Sequence, residues 1–118
     1  MEASEYSGSS AWIKRFDQEI DTRISSHFLT NFTLAKAMGI SSSHLVRKVK
    51  KLTGKTPNKY IRNRRLKVAY QYLQEGKYQT VRQTAFAVGF INTSYFNRQF
   101  AAKYKVSALQ VLKDNGWR

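Results

Sequence analysis

The stretch AVGFINTSYFNRQF, Ala87 to Phe100, has an earlier counterpart in AMGISSSHLVRKV, Ala37 to Val49, and the pair decides the fold. Adding 50 takes Ala35 to Ala85, Ala37 to Ala87, Met38 to Val88 and Gly39 to Gly89. Beyond the turn the offset becomes 51, taking Leu45 to Phe96, Arg47 to Arg98, Val49 to Phe100 and Thr56 to Ser107. Self-similarity of this kind marks one supersecondary unit built twice. Each copy reads as a short helix, a tight glycine turn and a second helix, the arrangement of a helix-turn-helix. The glycine permits positive φ, the small alanines let the two helices approach, and the next residue, Ile40 or Phe90, plugs the core between them. A helix hairpin with no ligand has the same needs, so the repeat alone gives an architecture and not yet a function.

Helix signals continue in both directions. Residues 1–9, MEASEYSGS, are small and polar without periodicity and read as a disordered linker outside the fold. Trp12, Phe16, Ile20 and Ile24 recur every four residues behind Ser10, a suitable N-cap. Thr30 caps a short helix to Met38, with Gly39 as its left-handed exit. Ser41 caps the next, whose buried side is Leu45, Val49 and Leu52 and which ends at Gly54. Thr56 followed by Pro57 opens a long helix that runs to about Glu75 and stops at Gly76. Thr80 and Gln83 form a capping box for a helix to Val88; Asn92 caps another, and Ser107 with Gln110 predicts a second capping box for the last. No stretch alternates with period two between turn signals, so strands are not needed. The expected fold is all-α with about seven helices. A first helix-turn-helix subdomain takes residues 10–56, a linker helix 57–76 and a second helix-turn-helix subdomain 77–118.

The second helix of each copy presents two faces. Phe96 and Phe100 lie one turn apart and face inward, whereas Ser94, Asn97, Arg98 and Ala101 share another face. Arg98 therefore sits between aromatics in sequence but not in space, and Phe96 and Phe100 are core rather than a platform for bases. In the first copy Leu45, Val49 and Leu52 are core, and Ser43, Val46, Arg47 and Lys50 form the opposite face. Each outward face carries an arginine among short or amide side chains. That suits a helix entering a major groove, where arginine donates two hydrogen bonds to guanine O6 and N7 and short neighbours allow close approach.

Charge points the same way. The 118 residues hold 21 Lys and Arg against 7 Asp and Glu, a net charge of +14. No acid occurs between Asp21 and Glu75, where RKVKK and RNRRLK both fall. Such a concentration implies a polyanionic partner; a solvated basic face and a basic helix on a membrane surface are the alternatives. No run approaches the roughly 18 to 20 apolar residues of a membrane span, and no signal peptide is visible, so a cytoplasmic location is expected. With no cysteine and only His27 and His44, no metal site and no cofactor are expected. An enzyme is not expected either, because few acids and two histidines offer no convergent acid–base pair. Ser43 beside His44 does not make an activated nucleophile, since neighbours on a helix point about 100° apart. An RNA-binding or protein-docking helical module remains the alternative, since charge does not distinguish the nucleic acids.

The chain resembles the AraC/XylS-type DNA-binding domain over about Leu29 to Lys113. The resemblance rests on L-A-x-x-x-G-x-S-x-x-x-L-x-R, T-G-x-(S/T)-P, R-L-x-x-A and A-x-x-V-G-F-x-x-x-S-Y-F-x-R-x-F, all met in order. The wording R-K-x-K-x-L-T-G-x-T-P is also similar to output domains of hybrid two-component regulators. The resemblance implies sequence-specific binding of double-stranded DNA by a bacterial transcription regulator, with receiver, sensor or ligand-binding domains N-terminal to it. Arg47 and Arg98 stand at the matching base-contact positions. The candidate base contacts are Ser43, Val46, Arg47 and Lys50 in the first copy and Thr93, Ser94, Asn97 and Arg98 in the second. The candidate phosphate contacts are Ser42, His44, Lys48, Lys51, Lys55, Thr56, Asn58 and Arg62. At about 1.5 Å per residue the linker helix is roughly 28 Å long, close to the groove repeat of about 34 Å. One chain is thus expected to bind two adjacent major grooves as a monomer. Arg62, Arg65 and Lys67 on that helix divide between touching phosphate and covering apolar surface with their stems.

Departures from the family pattern gather in the second copy. Lys105 and Ala108 stand where glycine and proline are common, Val111 and Leu112 where an aromatic residue and arginine are, and Gln83 where an acid is usual. Lys105 should make the helix exit less comfortable and the last helix looser. Ala101 and Ala102 replace bases, so the second half is expected to hold DNA less tightly.

Overall fold

The computed structural model describes the backbone of residues 2–26 and 29–116 and the side chains of residues 10–26 and 29–114. Seven α-helices and no strand occur among the described residues: α1 (Glu2–Thr22), α2 (Asn31–Met38), α3 (Ser42–Thr53), α4 (Pro57–Glu75), α5 (Val81–Ala87), α6 (Thr93–Tyr104) and α7 (Ala108–Val111), followed by a π-helical turn at Leu112–Gly116. The all-α reading holds.

Most helix starts follow the capping chemistry of the sequence. The Thr30 hydroxyl accepts from the Thr33 backbone N–H at 3.2 Å while the Thr33 hydroxyl accepts from the Thr30 N–H at 3.0 Å, a reciprocal box. Ser41 Oγ accepts from His44 N at 3.1 Å, and Asn92 Oδ1 from Tyr95 N at 2.9 Å. Thr56 Oγ1 accepts from Lys59 N at 3.3 Å behind Pro57, whose missing N–H costs nothing in a first turn. The predicted box at Thr80 is complete, Gln83 N donating to Thr80 Oγ1 at 3.0 Å and Thr80 N to Gln83 Oε1 at 3.1 Å.

Three expectations are corrected. The first helix begins at Glu2 and not behind Ser10, so residues 2–9, expected to be linker, are helical. They contain no proline, and their one glycine costs a helix only about 1 kcal/mol. Secondly, α1 ends at Thr22, and its last turn tightens as Arg23 N donates to Ile20 O at 3.0 Å. Ile24 therefore leaves the four-residue row and packs on the second hydrophobic cluster instead. Thirdly, the box at Ser107 is only half made. Gln110 N donates to Ser107 Oγ at 3.1 Å, but the Gln110 amide reaches forward to Asp114 Oδ1 at 2.8 Å.

The chain forms two compact units, which divide within α4 between Arg62 and Asn63, with Ile24 to Ser26 after α1 belonging to the second. In the first, α1 packs on α2 and α2 on α3. Phe16, Ile20, Leu34, Ala35, Met38, Leu45 and Val49 are buried there, Trp12 stacks on Phe16 at 5.2 Å, and the Tyr60 hydroxyl donates to Asp17 Oδ1 at 2.7 Å. In the second, α5 packs on α6 and α6 on α7 around an aliphatic core that also holds Phe90, Phe96 and Phe100, with tyrosines packed against it. Phe96 lies 5.1 Å from Phe90 and 5.7 Å from Phe100, and Phe100 lies 4.9 Å from Tyr104, which packs at 4.6 Å on Tyr70. These edge-on and tilted ring pairs add to the burial of their area.

Candidate nucleic-acid interface

The two turns that aim α3 and α6 are built alike. After α2, Gly39 adopts φ 75° and its N–H donates to Lys36 O at 3.1 Å, while Ile40 N donates to Ala35 O at 3.0 Å. After α5, Gly89 adopts φ 96°, with its N–H to Phe86 O at 3.0 Å and Phe90 N to Ala85 O at 2.9 Å. The second pair of bonds is the first with 50 added to each residue number. Phe90 is buried as expected, whereas Ile40 is only half-buried.

Surroundings differ at the two glycines. A Cβ on Gly39 would meet nothing within 4 Å; on Gly89 it would stand 2.4 Å from Ile24 O and 2.8 Å from Arg65 Cζ and Nε. Arg65 donates from Nη2 to Ser26 O at 2.9 Å, and burial holds its guanidinium below the ordinary arginine value. Arg65 thus holds the second turn against the segment after α1 and does not face outward.

The outward faces are those predicted. On α3, Leu45 and Val49 are fully buried and Ser43, His44, Val46, Arg47, Lys50 and Lys51 are exposed, with Ser42 half-buried. On α6, Phe96 and Phe100 are fully buried and Ser94, Asn97 and Arg98 are exposed, with Thr93 half-buried. Burial of the apolar row rotates each helix so that its arginine row looks away from the core. Each row holds hydrogen-bond donors, and no acid occurs in either helix.

Among the candidate contacts, Arg98 and Lys48 have aromatic seats that the sequence reading missed. Arg98 Cζ lies 5.9 Å from the centroid of Tyr95, one helical turn before it, so an aromatic does accompany Arg98 in space, though not Phe96 or Phe100. An i, i+3 tyrosine–arginine pair was the available signal. Lys48 Nζ sits 5.1 Å over Trp12, which nothing in the local pattern of α3 reveals. Lys55 is half-buried where α3 ends, its N–H donating to Thr53 Oγ1 at 3.1 Å; Thr56 and Asn58 are exposed at the start of α4, and Arg62 is half-buried farther along it. Among the described residues no three His, Asp or Glu side chains gather as metal ligands, and no helix is long and apolar enough to cross a membrane.

Known proteins share this plan. The model of a family described as "Helix-turn-helix domain" matches residues 34–114. Histidine kinase P4 of Formosa agariphila is 34% identical over 76 residues, 64% of this chain and 6% of the kinase. The uncharacterized HTH-type transcriptional regulator YdeC of Bacillus subtilis is 32% identical over 92 residues, 75% of this chain and 31% of the regulator. The chain thus spans less than a third of either relative. Among solved structures, a transcriptional regulator of Chromobacterium violaceum, described as an AraC-type DNA-binding domain-containing protein, superposes with a TM-score of 0.79 at 24% identity, covering 91% of this chain and 94% of that one. With its duplicated, identically hydrogen-bonded turns and a family match across both copies, this chain belongs to the helix-turn-helix domain family and has the AraC-type fold.

Proposed function

We infer that this chain is the DNA-binding domain of a bacterial transcription regulator and that it reads double-stranded DNA sequence-specifically, laying α3 and α6 in adjacent major grooves. The observation that carries the reading is the pair of exposed arginine rows, one on each copy of the hairpin, in a chain of net charge +14. Arg47 and Arg98 are the specificity-bearing groups, each suited to a guanine edge. Ser43, Val46 and Lys50, and Thr93, Ser94 and Asn97, complete the two base-reading faces. Ser42, His44, Lys51, Thr56 and Asn58 stand near enough in sequence to the ends of α3 and α4 to hold phosphate. Lys48, Lys55 and Arg62, all half-buried, must reach past their packing to do so.

The nineteen residues of α4 amount to about 28 Å of helix, of the order of one groove repeat, which supports occupation of both grooves by a single chain. The domain works in the cytoplasm as part of a longer regulator, with a receiver, sensor or ligand-binding domain N-terminal to it. A hybrid two-component protein is one such setting, supported by the match to a small fraction of a histidine kinase.

Selection of bound sequences from a random duplex pool, followed by footprinting and a stoichiometry titration, tests the reading. One chain should protect one contiguous site of about 16 to 20 base pairs. With about six phosphates engaged, log K should fall against log salt with a slope near −5. A two-to-one complex on the minimal site would refute the single-chain mode. Indifference to salt, or preference for structured RNA in competition, would refute the reading as a whole.

A further inference from the structure

The duplication reaches back beyond the two hairpins into the helix that precedes each. Adding 50 takes Arg15 on α1 to Arg65 on α4, and the residues that follow them, Phe16 and Leu66, are both buried. Each arginine reaches the hairpin of its own copy. Arg15 is exposed and donates from Nη2 to Ala37 O at 3.0 Å, in the last turn of α2. Arg65 is half-buried; it donates from Nη2 to Ser26 O at 2.9 Å and sets Nε and Cζ 2.8 Å from the place that a Gly89 Cβ would take, with Ile24 O against the same place. Its Nε is buried and has no hydrogen-bond partner among the described residues. A donor left unpaired in this way is costly, and a methionine would cover the same surface without that cost. What arginine adds is a flat, rigid group that closes on Gly89 while its outer N–H is anchored to the backbone of the segment after α1.

We propose that Arg65 is a positioning residue for base reading: it fixes the angle at which α6 leaves the Gly89 turn and thereby aims Arg98. The proposal rests on the reading of α3 and α6 as the DNA-reading helices. Phe96 and Phe100 hold α6 on the core by burial, which is non-directional, so its angle is set where the chain enters it. Arg98 stands nine residues beyond Gly89. At about 1.5 Å per residue that is a lever of about 14 Å, on which a tilt of about 5° moves the guanidinium by about 1 Å. A recognition group has to be held to within about 0.5 Å, so such a tilt spoils a bidentate pair with a guanine edge. Attraction to phosphate needs no such aim and survives it. The first copy has no equivalent device, because a Cβ on Gly39 would meet nothing within 4 Å and Arg15 bonds only the exposed end of α2. Arg65 therefore governs discrimination in the second half-site alone.

The test titrates the whole chain with the duplex recovered from the random pool and with its single-base variants in each half-site. The proteins compared are the parent, Arg65→Met, Arg65→Lys, Arg98→Ala and the double variant of Arg65→Met with Arg98→Ala. Arg65→Met keeps the stem and removes the flat group and its donor; it should lower discrimination in the second half-site at least about fivefold and leave the first within about twofold. Arg65→Lys, which can still donate to Ser26 O, should fall between it and the parent. In the Arg98→Ala background Arg65→Met should lower second-half discrimination no further, because both act through one contact. A side chain that only supported the fold would instead weaken binding to every duplex by one factor and leave discrimination unchanged. Unchanged discrimination, equal loss of it in both half-sites, or a loss that persists in the Arg98→Ala background would each overturn the proposal. Should Arg65→Met not fold, the same comparisons are read on Arg65→Lys. Second-half discrimination lost in Arg98→Ala but kept in both Arg65 variants would refute this proposal alone, whereas a parent chain that does not distinguish the duplexes would refute the DNA-reading function along with it.

Discussion

The two helix-turn-helix copies share a backbone and differ in almost everything packed around it. Their turns make matching hydrogen bonds, Ile40 N to Ala35 O at 3.0 Å and Phe90 N to Ala85 O at 2.9 Å. Yet the first copy centres on Leu45 and Val49, and the second on Phe96 and Phe100 joined to further rings. The first leaves its second helix through Gly54 at φ 75°, whereas the second makes the same left-handed exit with Lys105 at φ 61°. Gly39 faces open space; Gly89 is closed in by Ile24 O and the Arg65 guanidinium. Equivalent positions thus keep the backbone conformation that the turn demands, while core volume and neighbours vary. Two glycines with one conformational role can therefore have very different tolerance for a side chain.

The largest expected effect falls on the cores. Phe96→Ala should destabilise the fold by about 3–5 kcal/mol and Leu45→Ala by about 2–5 kcal/mol in chemical unfolding. Arg98→Ala should stay within about 0.5 kcal/mol of the parent. Were Arg98→Ala to melt the domain and Phe96→Ala to leave it folded, the faces of α6 would be assigned the wrong way round.

Next comes the contrast of glycines. Gly39→Ala meets only left-handed strain, about 1–2 kcal/mol. Gly89→Ala adds a backbone carbonyl and a half-buried guanidinium in its way, raising the cost to about 2–5 kcal/mol. Equal losses in paired thermal melts would mean that the Arg65 packing yields freely.

A third comparison concerns DNA. Arg47→Ala and Arg98→Ala should each cost about 1–3 kcal/mol of binding and relax preference only in their own half-site, read against an array of single-base operator variants. The losses need not match. Lys50, Lys51 and Lys55 remain near Arg47, whereas Ala101 and Ala102 follow Arg98, so the first half should keep more nonspecific affinity. The smallest effect is at the helix exit: Lys105→Gly should raise stability by about 0.5–1 kcal/mol. A destabilising Lys105→Gly would show that the lysine stem contributes packing that outweighs its φ.

Local chemistry was readable because it acts over a few residues. Threonine, serine and asparagine caps, the glycine exits and the apolar rows of α3 and α6 each follow from groups within one turn of each other, and the repeat let one copy check the other. The outward position of Arg47 and Arg98 follows from the same periodicity, since burial of Leu45, Val49, Phe96 and Phe100 leaves those arginines one face on which to lie. Where a contact joins distant positions, the local pattern is silent. The seat of Lys48 on Trp12, the packing of Arg65 between Ser26 and Gly89, and the transfer of Ile24 to the second core depend on which segments meet in space. The helical course of residues 2–9 escaped for a different reason: weak propensities and one glycine in a short polar run do not fix a state, and continuation from α1 supplies the cooperativity that the run lacks. Capping, turns and helix faces are thus set by the order of residues along the chain, whereas the unequal freedom of Gly39 and Gly89 arises only when packing brings separate segments together.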